Sequence, residues 1–305
     1  MTRHFFLRGE GGFDILTLTY QFSGGRGAAR RDKLKAHRRK EGTALEERGD
    51  LGPLLLEQLR EQMNNLSASI QLLSPVVREK GGEKYDPYLA ILNQSLYRIM
   101  RMLGNVEFLQ LEEGDRPDRL QGSLDLAGLC RELAAQVTPL AELVGVSFSY
   151  EEEKGSLLTR GDSRLLRRML LELISNALKA AGEGGRTGLR LAVRQDRAVL
   201  TVWDDGPGLP PPDSEPAGLL DRPSGLGLGL RVARRAAEAH GGVLVFEQRE
   251  DRGCRAVVSL PIRTPGQAEL RTPSMGWDPA GGFSDLLVEL ASVLPYQAFL
   301  PGELE

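Results

Sequence analysis

The run Glu172-Leu173-Ile174-Ser175-Asn176-Ala177-Leu178-Lys179 decides how this chain is read. It lies in a helix predicted over about 163–182, opening at Gly161-Asp162. A spacing of four puts Glu172 and Asn176 on one helical face, and Lys179 follows three residues later. A carboxylate, an amide oxygen and a cation then share one stripe. Such a stripe suits Mg2+ and phosphate, because Mg2+ takes a few protein oxygens and completes its shell with phosphate and water. Taken alone, the same spacing also describes a solvated helix face.

Two further segments follow in order. Val202-Trp203-Asp204-Asp205-Gly206-Pro207-Gly208 reads as a strand ending in a tight turn. An acid at a strand end can accept a hydrogen bond from an exocyclic amine such as that of adenine. The glycines permit close backbone approach. The plain alternative is an ordinary Asp-Gly turn. Ser224-Gly225-Leu226-Gly227-Leu228-Gly229-Leu230 then runs straight into a helix. Alternating glycines leave N–H groups free to face an anion, and the helix adds its positive end. No Gly-Lys-Ser/Thr follows, so this is not a Walker loop. It also sits too late in the unit for a dinucleotide fingerprint.

Around these segments, helices are predicted at about 126–143, 163–182 and 227–240. Strands are predicted near 145–151, 189–195, 197–204, 243–248 and 254–260. That alternation describes an α/β sandwich over 123–262, with helices on one face of a sheet. In this order the segments resemble the ATP-binding domain of the histidine kinase, Hsp90-type chaperone, MutL and gyrase superfamily, and most of all sensor histidine kinases. Glu172 to Lys179 matches the N box, Asp204 to Gly208 the G1 box, and Gly225 to Gly229 the G2 box. His240-Gly241-Gly242, Gly253 and Leu260-Pro261 fit the same pattern.

The resemblance implies an α+β chain: a helical-hairpin dimerisation domain followed by a Bergerat-type α/β-sandwich ATP-binding domain. It implies ATP and Mg2+ as cofactors. Asn176 would coordinate Mg2+, and Glu172 would activate water or support the metal site. Lys179 would neutralise phosphate charge, and Asp204 would bind the adenine amine. Gly206 and Gly208 would shape the adenine pocket, while Gly225, Gly227 and Gly229 would cradle phosphates. The lid between Pro210 and Ser224 is short and lacks the Phe-containing box found in many such kinases.

Residues 51–112 read as a helical hairpin. Leu56, Leu59, Met63, Leu66, Ile70, Leu73 and Val77 recur at spacings of three and four, as do Leu89, Leu92, Leu96, Ile99, Leu103 and Val106. Gly81, Gly82 and Asp86-Pro87 break the two apart. A lone hairpin leaves its outer apolar edges wet, so a four-helix bundle between two copies, a homodimer, is expected. The hairpin resembles the family's dimerisation and phosphotransfer domain. There the phosphoryl acceptor is a histidine, but this chain has only His4, His37 and His240. Alignment puts Arg60 at the acceptor position, and Arg stays protonated. The same alignment sets Glu61 and Asn64 on the E-x-x-N pattern that supports dephosphorylation of a response regulator. The other reading makes them exposed polar positions off the seam. His240 stands at a helix C-terminus, where the dipole favours a cation.

The flanks are less ordered in pattern. Residues 1–50 read as a basic arm, with eight Lys/Arg and one Asp in 26–40. Residues 113–122 read as a polar linker. Residues 263–305 form a Pro- and Gly-rich tail ending in an amphipathic helix at about 284–294, capped by Ser284. The chain has 305 residues, 39 Lys+Arg and 42 Asp+Glu, a net charge of −3. That balance argues against direct nucleic-acid binding. No apolar run reaches the roughly 18 residues of a membrane span, so a cytoplasmic protein is expected. Cys130 and Cys254 have no metal-type spacing. The functions that fit are a two-component kinase with an atypical acceptor, a response-regulator phosphatase, and a non-catalytic ATP-gated scaffold.

Overall fold

The structure, a computed structural model, describes residues 4–9, 12–17, 51–110, 122–209, 227–263 and 283–300. The chain divides into two compact units, Met1–Leu55 and Leu56–Glu305. In the first, β1 (His4–Gly9) pairs antiparallel with β2 (Gly12–Thr17). The irregular reading of residues 1–50 did not anticipate this pair. The basic run at 26–40, the linker at 113–121, the lid from Pro210, Gly225 and the tail from 264 to 282 lie outside the described residues.

Helices α1 (Leu51–Gly81) and α2 (Asp86–Gln110) form the expected hairpin. Gly82, at φ 71°, makes the turn in a region that suits glycine. Arg78 bonds Asp86 at 2.8 Å at one end and Arg60 bonds Glu107 at the other, so the helices run antiparallel. The apolar seam divides by heptad. Leu56, Met63, Ile70 and Val77 are half-buried, and Leu89, Leu96 and Leu103 are buried. The intervening Leu59, Leu66, Leu73 and Leu92 are each at least 50% exposed.

The α/β domain follows. Strand β3 (Ser123–Asp125) leads into α3 (Leu126–Leu143), and β4 (Ser147–Glu152) and β5 (Leu158–Arg160) precede α4 (Ser163–Ala181). Then come β6 (Arg186–Arg194), β7 (Arg197–Asp204), α5 (Leu228–Ala239), β8 (Val243–Gln248) and β9 (Cys254–Pro261). The main sheet has the order β4-β6-β7-β9-β8, with only the β4–β6 pair parallel. Strands β3 and β5 pair separately. Along β7, Ala198, Leu200, Val202 and Asp204 are buried in strict alternation. Ala198, Leu200 and Val202 share one core with Leu133 and Val137 of α3, Leu170 and Ile174 of α4, and Ala233 and Ala236 of α5.

Helix α4 is the anchor. Asp162 caps it, accepting from the N–H groups of Arg164 and Leu165 at 3.0 and 3.1 Å. It buries Leu166, Leu170, Leu171, Leu173, Ile174 and Leu178, each stabilising by about 1.5–3 kcal/mol. Because that face is fixed, Glu172, Asn176 and Lys179 are fixed with it. After β9 the chain returns as α6 (Asp285–Leu290) and a 3-10 turn at Tyr296–Phe299. Ser284 caps α6 as expected, but the helix ends at Leu290 and turns take over. No helix among the described residues is long and apolar enough to cross a membrane.

Candidate functional site

The site begins where β7 ends. Asp204 is buried, and its Oδ1 accepts from the N–H groups of Gly206 and Cys254 at 2.9 and 3.3 Å. No described residue bonds its Oδ2. Burial pushes the carboxyl above its ordinary range, against those two N–H bonds. The turn that follows admits nothing larger than glycine. A Cβ on Gly206 would lie 2.3 Å from the Ala180 carbonyl oxygen at the end of α4. Gly208, at φ 87°, would meet the Gln248 amide, and Gly253, at φ 89°, would meet the Asp204 carbonyl. Arg249 bonds that carbonyl at 2.8 Å and lies over the Trp203 ring. The result is a fixed floor with one buried acceptor.

Asn176 and Lys179 are half-buried on α4. Burial, and then the nearby Arg101, pulls the Lys179 ammonium down to about 8. Gly227 sits at φ 67° immediately before α5, and Gly229 lies in its first turn. A Cβ on Gly229 would lie 2.2 Å from Glu172 Oε2. The start of α5 is thus pressed against the carboxylate of α4. The structure brings Glu172 and Gly229 together, and it sets Gly206 against the end of the helix that carries Asn176 and Lys179.

Glu172 is fully buried, and its partners come from outside the domain. Asn105 of α2 donates to Oε1 at 2.9 Å, and Arg101 of α2 ion-pairs with Oε2. Arg101 also lies 3.3 Å from Glu289 of α6 and donates to Ser292. Arg168 of α4 sits 3.2 Å from Glu289 and donates to Asn105 at 2.7 Å. Burial pushes Glu289 up to about 7; the adjoining Glu172 adds to the shift, while Arg168 and Arg101 oppose it. Sequence reading missed Arg101, Asn105, Arg168 and Glu289. The only trace of them is that they are charged or amide residues within otherwise apolar helical stripes.

Of the hairpin candidates, only Arg60 shares a cavity with this cluster. Arg60 bonds Glu107 through two nitrogens. It also lines a cavity of about 270 Å³ with Arg101, Arg168 and Glu289, which Glu61 and Asn64 do not line. Glu61 is exposed and Asn64 half-buried on α1. His240 corrects the expectation of a helix-end cation. Its Nε2 accepts from the Asp162 N–H at 3.0 Å, and its Nδ1 faces the Ala236 carbonyl at 2.8 Å. Burial lowers its pKa, so the ring is a neutral tie between α5 and the cap of α4. Among the described residues no group of three His, Cys, Asp or Glu could hold a metal ion.

Residues 161–264 match the family described as histidine kinase-, DNA gyrase B-, and HSP90-like ATPase. The chain is similar to Sporulation kinase A of Bacillus subtilis (strain 168), 26% identical over 216 residues that cover 70% of this chain and 34% of that protein. It is also similar to Sensor protein SphS of Synechococcus elongatus, 28% identical over 224 residues, 66% of this chain and 54% of that one. It therefore spans from about a third to about half of these relatives' length. Among solved structures, full-length ShkA in complex with AMPPNP superposes with a TM-score of 0.57 at 25% identity, covering 73% of this chain and 47% of that one. With the N-box face, the buried acid ending β7 and the glycines opening α5 in place, residues 161–264 form a domain of the histidine kinase-, DNA gyrase B-, and HSP90-like ATPase family, and the chain is similar to histidine kinases.

Proposed function

We propose that this chain is an ATP-binding, histidine-kinase-like signalling protein of the two-component type, with atypical phosphotransfer. One observation carries the reading: the buried Asp204 keeps a carboxylate oxygen open beside glycines that tolerate no side chain. Asp204 would receive the adenine amine. Lys179 and the glycines opening α5, with Gly225, would face the phosphates. Asn176 would hold Mg2+ together with phosphate oxygens, and ATP would supply the phosphoryl group. The relatives named as a kinase and a sensor, and ShkA with its bound nucleotide analogue, support this reading.

The hairpin supports atypical phosphotransfer. The alignment sets Arg60 at the acceptor position, or Glu61 with a shift of one residue, and neither restores a histidine; Arg60 is paired with Glu107 and cannot act as a nucleophile. The exposed edge of Leu59, Leu66, Leu73 and Leu92 supports a homodimer. A second reading, a non-catalytic ATP-gated scaffold, is favoured by the capture of Glu172 by Arg101. A third, a response-regulator phosphatase, rests on Glu61 and Asn64, with Glu61 open to solvent. Incubation with γ-labelled ATP and Mg2+, with Asn176→Ala as control, separates them. Label on the wild-type chain alone supports a kinase with an unexpected acceptor. Nucleotide binding without label or turnover supports the scaffold. Loss of regulator dephosphorylation in Asn64→Ala supports the phosphatase.

A further inference from the structure

The tail at 283–300 is docked on surfaces that match it in detail. Phe283, Leu290, Ala291, Leu294 and Phe299 are buried, Leu290, Ala291 and Phe299 completely. Tyr97 of α2 packs between two tail rings, edge-on to Phe283 at 5.0 Å and tilted against Phe299 at 5.2 Å. Short helices leave their last carbonyls without intrahelical partners. Beyond α6 the tail's carbonyls find partners on α2. Gln94 donates to the Leu294 carbonyl at 2.7 Å, Arg98 to that of Ala291 at 3.0 Å, and Asn93 to that of Phe299 at 3.1 Å. Asn93 and Gln94 are buried amides on a hairpin helix, and without the tail they would lose those acceptors.

The tail also touches the other side of the site. Glu289 lies against Arg168 of α4 and Arg101 of α2 and adjoins Glu172. One short segment therefore fastens the hairpin to the helix bearing the N box. The fastening holds Arg101 and Asn105 on Glu172, and in that state both Glu172 oxygens are engaged.

We infer that residues 283–300 are an inhibitory clamp: docked, they hold α2 against α4 and keep Glu172 occupied, and their release frees Glu172 for ATP chemistry. This inference rests on the ATP-binding reading above. Release takes Glu289 away from Arg101 and Arg168, and with the tail's grip on α2 gone the helix carrying Arg101 and Asn105 can leave Glu172. The clamp thus couples hairpin position to the nucleotide site through one shared guanidinium.

The test uses the full-length protein and two variants. Phe299→Ala removes the most deeply buried ring of the tail, and Gln94→Ala removes the amide bonds to the Ala291 and Leu294 carbonyls from the α2 side without emptying the core. Amide hydrogen exchange in α2, α4 and the tail is measured alongside affinity for a fluorescent ATP analogue and ATP turnover. The clamp predicts faster exchange in the tail and in α2 near Arg101 for both variants. It also predicts ATP turnover faster than that of the wild type in both variants. Folded variants with wild-type exchange in α2 and wild-type turnover would overturn it. Should no form bind the analogue, the ATP reading fails. The exchange data then decide separately whether the tail holds α2 to α4.

Discussion

Arg101, on the second helix of the hairpin, ion-pairs with Glu172, on the central helix of the nucleotide domain, across a separation of 71 residues in sequence. Both side chains are almost completely enclosed, 10% and 0% exposed. Arg101 and Asn105 supply the cation and the N–H donor that a buried carboxylate needs. The hairpin therefore takes part in the electrostatics of the N box.

Arg101→Ala removes that partner, leaving Glu172 with the Asn105 amide and Glu289 with Arg168. Breaking a buried pair from one side costs about 3–5 kcal/mol. Denaturant unfolding is expected to show a loss of that size, and Glu172→Gln in the same background to restore part of it. A loss below about 0.5 kcal/mol, the range of ordinary surface changes, would contradict the buried pair.

Asp204→Asn keeps an oxygen for the two backbone N–H groups but turns an N–H2 toward the pocket. Donor then faces donor at the place assigned to the adenine amine. Affinity for an ATP analogue is expected to fall at least about tenfold, or 1.4 kcal/mol, with little change in melting temperature. Calorimetric titration checks this, and unchanged affinity would move the base elsewhere.

Gly206→Ala places a methyl group 2.3 Å from a helix carbonyl that cannot move aside. Overpacking of this kind costs about 1–3 kcal/mol. Lower stability is expected together with weaker nucleotide binding, because the turn and the end of α4 shift as one.

Glu289 introduces a pH dependence. Its native pKa, near 7, lies above its ordinary 4.5. The native state therefore holds this proton more tightly than the unfolded state does. Below 4.5 both states are protonated and the site costs nothing. From 4.5 to about 7 stability falls as pH rises, and above 7 the cost is constant. Arg168, Arg101 and Glu172 are the charged groups facing it. Thermal unfolding between pH 4.5 and 8 is expected to slope less steeply in Glu289→Gln, and identical slopes would argue against this assignment.

Leu66→Glu sets a charge on the hairpin's outer edge, where Leu66 is half exposed in the single chain. The expected result is a monomer by light scattering with unchanged helix content. A wild-type mass would place the copy-to-copy contact elsewhere.

Much of the fold was legible because its signals are local. Alternation along β7 and Asp162 ahead of α4 act within a few residues, and the predicted strands at 197–204 and 243–248 coincide with the observed ones. The three-residue strands β3 and β5 were missed, because three residues cannot show a period. The heptad seam was legible as a pattern. Which of its leucines face the hairpin partner, and which face solvent, emerged only on packing.

The N-box stripe, the acid ending β7 and the glycine run were legible in the sequence alone, because each is a pattern of neighbours on one helix face or in one turn. The surroundings of Glu172 were not. Arg101 meets Glu172 from 71 residues away and Glu289 from 188, and no periodicity spans such distances. Only the tertiary structure decided that the tail docks, that His240 is neutral and that Glu172 is held. Burial and the strength of charge pairing depend on what surrounds a group in space, and that is settled when the helices close over it.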